Sequence, residues 1–220
     1  MMALTCAPAA LWLSLQIAAW VLPLFLVAGI GLGYALAQPI PLRGWLDALV
    51  SLPLVFPPIA IGFFLLLLLG RHGPLGEWLY QAGHIDVVFA LPGLVIAAFI
   101  AGLPLVVKPI QSAIASQAHE LSEASYTLGK GHWHTLVYVV IPVTRRSIAA
   151  GLILGLGRSF GEVGITLMLG GNIVGATETL SLAIYNRMLD GDFACATRLS
   201  ILLGVVALSL FFLLRRGGRL

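Results

Sequence analysis

Five stretches of this chain are apolar for long enough to cross a lipid bilayer, and that feature leaves few folds open. They run from about Ala9 to Ala37, Ala48 to Gly70, Val87 to Val107, Ser147 to Gly170 and Leu199 to Leu214. A span needs roughly 20 residues, within a range near 17–25. The first stretch exceeds that range, which implies tilt or an interfacial turn, and the fifth lies at its short end. Inside a bilayer the backbone must satisfy its own polar groups, so such stretches fold as helices. Only 10% of the residues are charged, against about 25% in a soluble domain, so lipid is the solvent the surface requires. The expectation is an all-α membrane protein, a single transmembrane domain over residues 1–220, with about five spans. Ala176 to Tyr185 is a weaker apolar stretch. It reads as an amphipathic or re-entrant helix, with a sixth span as the alternative.

The segment before the first span has no Lys or Arg, and the apolar run is longer than the core of a signal peptide, so it reads as a retained span. Basic residues then orient the chain. With the long polar segment Lys108 to Arg146 in the cytoplasm, Arg43, Lys108, Lys130, Arg145, Arg146, Arg215, Arg216 and Arg219 are inside. Arg71, Arg187 and Arg198 are outside, and Arg158 is within the membrane. The bias satisfies the positive-inside rule. Five spans then put the N-terminus outside and the C-terminus in the cytoplasm. The basic residues form no cluster interleaved with aromatics, so a nucleic-acid groove is not expected. Cys6 and Cys195 read as buried inert thiols, since a disulfide would need both to face an oxidising compartment. His132 and His134 are two apart, and His72, His84 and His119 are isolated, so no metal site or other cofactor site is expected. No phosphate-binding Gly-Lys loop or nucleophile elbow is present.

The 108–146 loop carries the strongest local pattern. Glu123-Ala124-Ser125-Tyr126-Thr127-Leu128-Gly129 is followed by nine residues and then Val139-Val140-Ile141-Pro142. Leu121, Ala124, Ser125 and Leu128 recur at helical spacing. Ser122 suits an N-cap, and Gly129 suits the left-handed position past a helix end. Pro142 suits the start of the next membrane helix, where a missing N–H costs little. Small residues at Ala124 and Ser125 would let another protein approach closely.

This pattern resembles the EAA motif of bacterial ABC importer permeases: Glu-Ala-Ala, three residues, Gly, nine residues, Ile-x-Leu-Pro. Glu123, Ala124, Gly129 and Pro142 match at the family spacing, and Ser125 replaces the second Ala. A second stretch narrows the resemblance. Arg158-Ser159-Phe160-Gly161-Glu162-Val163-Gly164-Ile165-Thr166, then Asn172-Ile173 and Ala183-Ile184-Tyr185, are similar to the permease subunit of molybdate importers. So are Leu52-Pro53-Leu54-Val55-Phe56-Pro57-Pro58 and Gly70-Arg71-His72-Gly73-Pro74. Tungstate and sulfate permeases share the Arg…Gly-Glu-x-Gly core and are the alternative.

The resemblance implies a type I importer permease of the bacterial inner membrane, itself no enzyme. It implies a homodimer, a cytoplasmic ATP-binding cassette subunit on the loop, and a periplasmic or extracellular substrate-binding protein. Glu123, Ala124, Ser125, Gly129 and Pro142 are the implied coupling positions. A membrane-embedded enzyme or a passive channel are the remote alternatives.

Arg158 and Glu162 are four apart and so would share a helix face. Charges at a span centre cost about 2.5–3.5 kcal/mol on insertion scales, so the pair should face protein and not lipid. From Ile141, Arg158 lies about 26 Å along an ideal helix. The pair reads either as a structural ion pair or as part of a path that admits an oxyanion. A tetrahedral dianion offers only acceptors. Ser159, Thr166, Asn172 and the helix ends freed by Pro57, Pro58, Gly161 and Gly164 are the candidate donors of such a path. Packing of small residues is the competing reading for the glycines.

Overall fold

The structure, a computed structural model, describes residues 6–217, and among these every regular element is helical. Helix α1 (Pro8–Ala37) is an unbroken rod with Pro23 inside it. Its 30 residues make it about 45 Å long at 1.5 Å per residue, against roughly 30 Å of hydrocarbon. Its C-terminal end reaches the polar loop. There Gln111 Nε2 donates to the Leu36 carbonyl at 3.5 Å, and the Tyr34 and Tyr126 hydroxyls meet at 2.7 Å. That end of the molecule holds the 108–146 loop.

The second apolar segment is not one straight span. Helices α2 (Arg43–Val55) and α3 (Pro58–Leu69) meet at 117°. The cause is local: Pro57 and Pro58 supply no N–H, and a residue before proline is pushed out of the helical region. Pro57 is accordingly extended, with ψ 126°. Helix α2 stays near the loop end, tied by Lys108 Nζ to Asp47 Oδ1 at 2.6 Å. Helix α3 carries the chain to the opposite end. There the Arg71 guanidinium and the Asp86 carboxylate make two 2.8 Å hydrogen bonds, which close the loop around α4 (Pro74–Gly83).

Helix α5 (Leu91–Ala113) starts four residues later than the apolar run does and continues through a π-helical turn, Ile114–Ala118, into α6 (His119–Thr127). The chain returns through α7 (His132–Thr135) and a second π turn, Leu136–Val140, into α8 (Ile141–Phe160), with Pro142 in its first turn. The fourth apolar segment breaks at Gly161 to Val163 and resumes as α9 (Gly164–Gly170). Helix α10 (Leu180–Leu189) is short and packed into the protein by Leu180, Leu182 and Ala183. Ten residues cannot span a bilayer. Helix α11 (Phe193–Gly217) starts six residues before the apolar run suggested, so the fifth span is of full length. Four helices, together with the bent α2–α3 pair, are long and apolar enough to cross. Arg219 lies outside the described residues.

Helices α1, α5 and α8 form the main core through Val21, Phe25, Leu94, Val106, Ile110, Leu152 and Leu156. In lipid there is little hydrophobic gain from helix contact, so close van der Waals packing must hold helices together. Gly155 shows this: a Cβ there would collide with Val106 Cγ2 and lie 3.2 Å from the Gly102 carbonyl oxygen.

Candidate functional site

Two places concentrate the polar chemistry, and they lie at different levels of the bundle. The first is the hairpin α6–α7 at the loop end. Helix α6 needs no N-cap, because α5 runs into it through the π turn. Ser122, expected as that cap, sits inside the helix and donates to the Ala118 carbonyl at 2.7 Å. The C-terminus is built as expected. Gly129 has φ 75°. Its N–H donates to the Tyr126 carbonyl at 2.9 Å, and the Lys130 N–H donates to the Ser125 carbonyl at 3.1 Å. These are the two bonds of a Schellman motif.

The faces of α6 differ from the sequence expectation in one respect. Leu121, Ala124 and Leu128 share an exposed face with Glu123 beside it, whereas Ser125 is buried. Ser125 Oγ meets Thr135 Oγ1 at 2.9 Å and joins α6 to α7. That bond gives the serine a use an alanine could not have. Leu128 is 77% exposed and Trp133 80% exposed. The hairpin therefore presents Leu121, Ala124, Leu128 and Trp133 outward, held from below by a serine–threonine pair. Tyr126 is a residue the sequence reading passed over. Its hydroxyl meets both Tyr34 on α1 and His132 Nδ1, at 2.7 and 3.1 Å, so the hairpin is tied to the first span. Pro142 is exposed at the foot of α8.

The second place is the break between α8 and α9. Arg158 and Glu162 do not share a helix face, because α8 ends at Phe160. They pair all the same: Arg158 Nη1 lies 2.6 Å from Glu162 Oε2. Glu162 Oε1 accepts the Ile165 N–H at 2.8 Å. One buried carboxylate thus links the C-terminal turn of α8 to the N-terminus of α9. Its negative charge sits where the amide dipoles of α9 favour it. The Glu162 side chain is 1% exposed and that of Arg158 31%. The α9 N-terminus is therefore occupied from within the chain.

The other expected donors are also engaged. Ser159 Oγ donates to the carbonyls of Ala98 and Gly155 at 2.7 and 2.9 Å. Asn172 has φ 52° and exchanges side-chain amide bonds with Asn186, at 2.7 and 3.1 Å, and Asn186 in turn donates to Glu178 Oε1 at 2.6 Å. At the start of α10, the Leu180 N–H donates to Ser14 Oγ and the Leu182 N–H to Thr179 Oγ1. Pro57 and Pro58 head α3, and Gly164 lies against them: a Cβ there would meet the Ile59 nitrogen at 3.0 Å and Pro58 Cβ at 3.1 Å. Gly164 is thus required by packing. Thr166 is buried beside a small cavity of about 20 Å³ lined also by Ser14, Ser159, Glu162 and Thr179. That is room for a water or two, not for a tetrahedral oxyanion. Among the described residues no group of three or more His, Cys, Asp or Glu side chains could hold a metal ion.

Broken and continuous apolar helices, with a hairpin held out at one end, make up a multi-pass membrane bundle. The chain belongs to the family of binding-protein-dependent transport system inner membrane components, which it matches over residues 12–218. It is 37% identical to the molybdenum transport system permease protein ModB of Azotobacter vinelandii over 86% of this chain and 84% of that one. It is 35% identical to ModB of Escherichia coli K12 over 93% of this chain and 90% of that one. The sulfate transport system permease protein CysT of Escherichia coli K12 is 33% identical over 78% of this chain and 62% of its own length. The fold matches a crystal structure of a bacterial ABC transporter that imports alginate, with TM-score 0.76 over 96% of this chain and 78% of that one at 20% identity.

Proposed function

We propose that this chain is the membrane-spanning permease subunit of an ABC importer that brings molybdate into the cytoplasm, with no catalytic role of its own. Identity to two molybdenum permeases over nearly their whole length supports the substrate. Sulfate and tungstate are the alternatives of the same chemistry. The observation that carries the reading is the hairpin: an exposed apolar helix face with Glu123 at its edge, ended by a left-handed glycine and tied to the first span through Tyr126. A cytoplasmic ATPase subunit docks on it, and Glu123, Ala124, Ser125, Gly129 and Pro142 form or shape the contact. The loop end is cytoplasmic in this reading, the N-terminus lies outside, and a binding protein delivers the anion at the opposite end.

Two copies enclose the path. On α8, Ala150, Leu154 and Gly157, with Gly161 just past its end, are exposed in the single chain, and Arg158 stands at the edge of that stripe. A second copy covers the stripe, which makes the path a dimer property. Ser159 and Asn172 donate within the chain; Arg158, partly exposed and bound to Glu162 through Nη1, is the donor this reading assigns to a passing oxyanion. Thr166, Pro57 and Pro58 shape the wall. Closure of the ATPases pulls on the two hairpins, and the ties from α6 to α1 and to α7, which leads into α8, turn that pull into alternating access.

Glu123→Lys tests the reading. A reversed charge desolvated against the docked subunit should release it. Expected are loss of ATPase co-purification and of molybdate uptake, with membrane insertion unchanged. Normal uptake and normal co-purification would refute docking through this helix. Competition of uptake by sulfate and tungstate settles the substrate.

A further inference from the structure

The chain has two cysteines, and they stand far apart in sequence. Cys6 lies two residues before α1, and Cys195 is the third residue of α11. Both helices begin at the end of the molecule opposite the 108–146 loop. There Ala10, Leu180, Ala183, Cys195 and Leu199 form a buried apolar cluster, and Cys6, Ala7 and Leu11 pack onto it. Cys6 is thus held against the same small cluster that contains Cys195, and the two thiols interact there. Cys195 is fixed by the start of α11, where its N–H donates to Asp192 Oδ1 at 3.0 Å and the Ala196 N–H donates to the Asp192 carbonyl at 3.0 Å. Cys195 is buried, and Cys6 is partly exposed.

A disulfide brings two sulfurs to about 2.05 Å from cysteines that are already neighbours, and packing in one cluster makes Cys6 and Cys195 such neighbours. Whether they bond depends on the compartment. The argument for the compartment rests on the proposed function: with the hairpin in the cytoplasm, this end faces the oxidising side of the inner membrane. We propose that Cys6 and Cys195 form a disulfide that staples the start of the first span to the start of the last. The oxidant is a protein disulfide of the thiol-oxidase class. The Cys6 thiolate, the more exposed of the two, attacks it and expels one oxidant thiolate, which leaves a mixed disulfide. The Cys195 thiolate then attacks the Cys6 sulfur and expels the second. Two S–H bonds of this chain and one S–S bond of the oxidant break, and one new S–S bond forms. Two electrons and two protons pass to the oxidant, which leaves as a dithiol. The bond holds the first turn of α1 onto α10 and α11 while the other helices move.

The test uses the native complex. Membranes are quenched in acid, thiols are trapped with N-ethylmaleimide under denaturing conditions, and a non-reducing digest is analysed by mass spectrometry. A Cys6–Cys195 linked peptide that separates on reduction, with neither cysteine carrying maleimide, supports the proposal. Maleimide on both cysteines, or Cys6 linked to Cys6 of a second copy, overturns it. A second arm keeps the orientation separate. In Cys195→Ser, the remaining thiol is probed in intact spheroplasts with a membrane-impermeant maleimide. Labelling from outside combined with free thiols in the native chain overturns the disulfide and leaves the importer reading standing. Labelling only after lysis puts this end in the cytoplasm, which overturns both the orientation and the disulfide.

Discussion

Removing either partner of the Arg158–Glu162 pair should have unequal consequences, and the inequality follows from burial. In Arg158→Gln the Glu162 carboxylate, 1% exposed, loses its countercharge and keeps only the Ile165 N–H. Breaking a buried pair in this way costs about 3–5 kcal/mol. In Glu162→Gln the amide oxygen can still accept from Ile165. The orphaned charge is then Arg158, whose side chain is 31% exposed and can reach water, so the loss is about 1–2 kcal/mol. The double substitution leaves no charge at all, and its cost should stay near that of Glu162→Gln. The implied coupling equals the Arg158→Gln loss, about 3–5 kcal/mol, at or above the upper end for neighbouring residues. The assay is thermal denaturation of the detergent-solubilised complex, read by fluorescence-detected gel filtration. Arg158→Gln should melt roughly 10 °C below wild type, and the double variant should recover most of that gap. Equal and additive losses for the two single variants, or wild-type melting in all three, would refute the bridge across the helix break. Molybdate uptake adds the functional half: a double variant that folds but transports poorly assigns Arg158 to the anion as well.

Gly129→Ala places a Cβ at φ 75° and should cost about 1–2 kcal/mol of local strain. Gly129→Val should cost more and halve or abolish uptake at normal yield, and unchanged uptake in the valine variant would refute the helix-stop role. Tyr126→Phe removes the bonds to Tyr34 and His132, each worth about 0.5–1.5 kcal/mol. Substrate-stimulated ATPase activity should fall relative to basal activity, and an unchanged ratio would count against the tie to α1. Asp86 is partly exposed, and its carboxyl is held below the usual carboxylate range first by hydrogen bonding to Arg71. A carboxylate with a lowered native pKa adds stability above its unfolded value, near 3.9, and loses it as pH falls through the native one. Protease cutting in residues 71–86 should therefore rise only in strong acid for wild type, and at neutral pH already in Asp86→Asn.

Membrane class and helix type were legible in the sequence because hydropathy acts along the chain. A run of some twenty apolar residues in lipid has no alternative to a helix. The stop at Gly129 was legible for the same reason: a Schellman end is built from residues within one turn of each other. The breaks were only half legible. Pro57-Pro58 and the glycines at 161 and 164 marked weak points, but length alone suggested straight spans. A 117° bend depends on what α3 can pack against, and α9 supplies that surface. The same holds for polar groups. Arg158 and Glu162 were correctly paired by spacing, yet only the fold revealed that α8 ends between them and that Glu162 also serves α9. Ser159 and Asn172 looked like free donors because their acceptors, Ala98 and Asn186, lie on other elements. Cys6 and Cys195 read as separate inert thiols because the first and last spans touch only after folding. The sequence by itself determined the solvent, the helical class and the hairpin. Which side chains meet, and so which donors remain for a substrate, was decided by tertiary packing, because hydrogen bonds and thiol contacts depend on distances that sequence separation does not constrain.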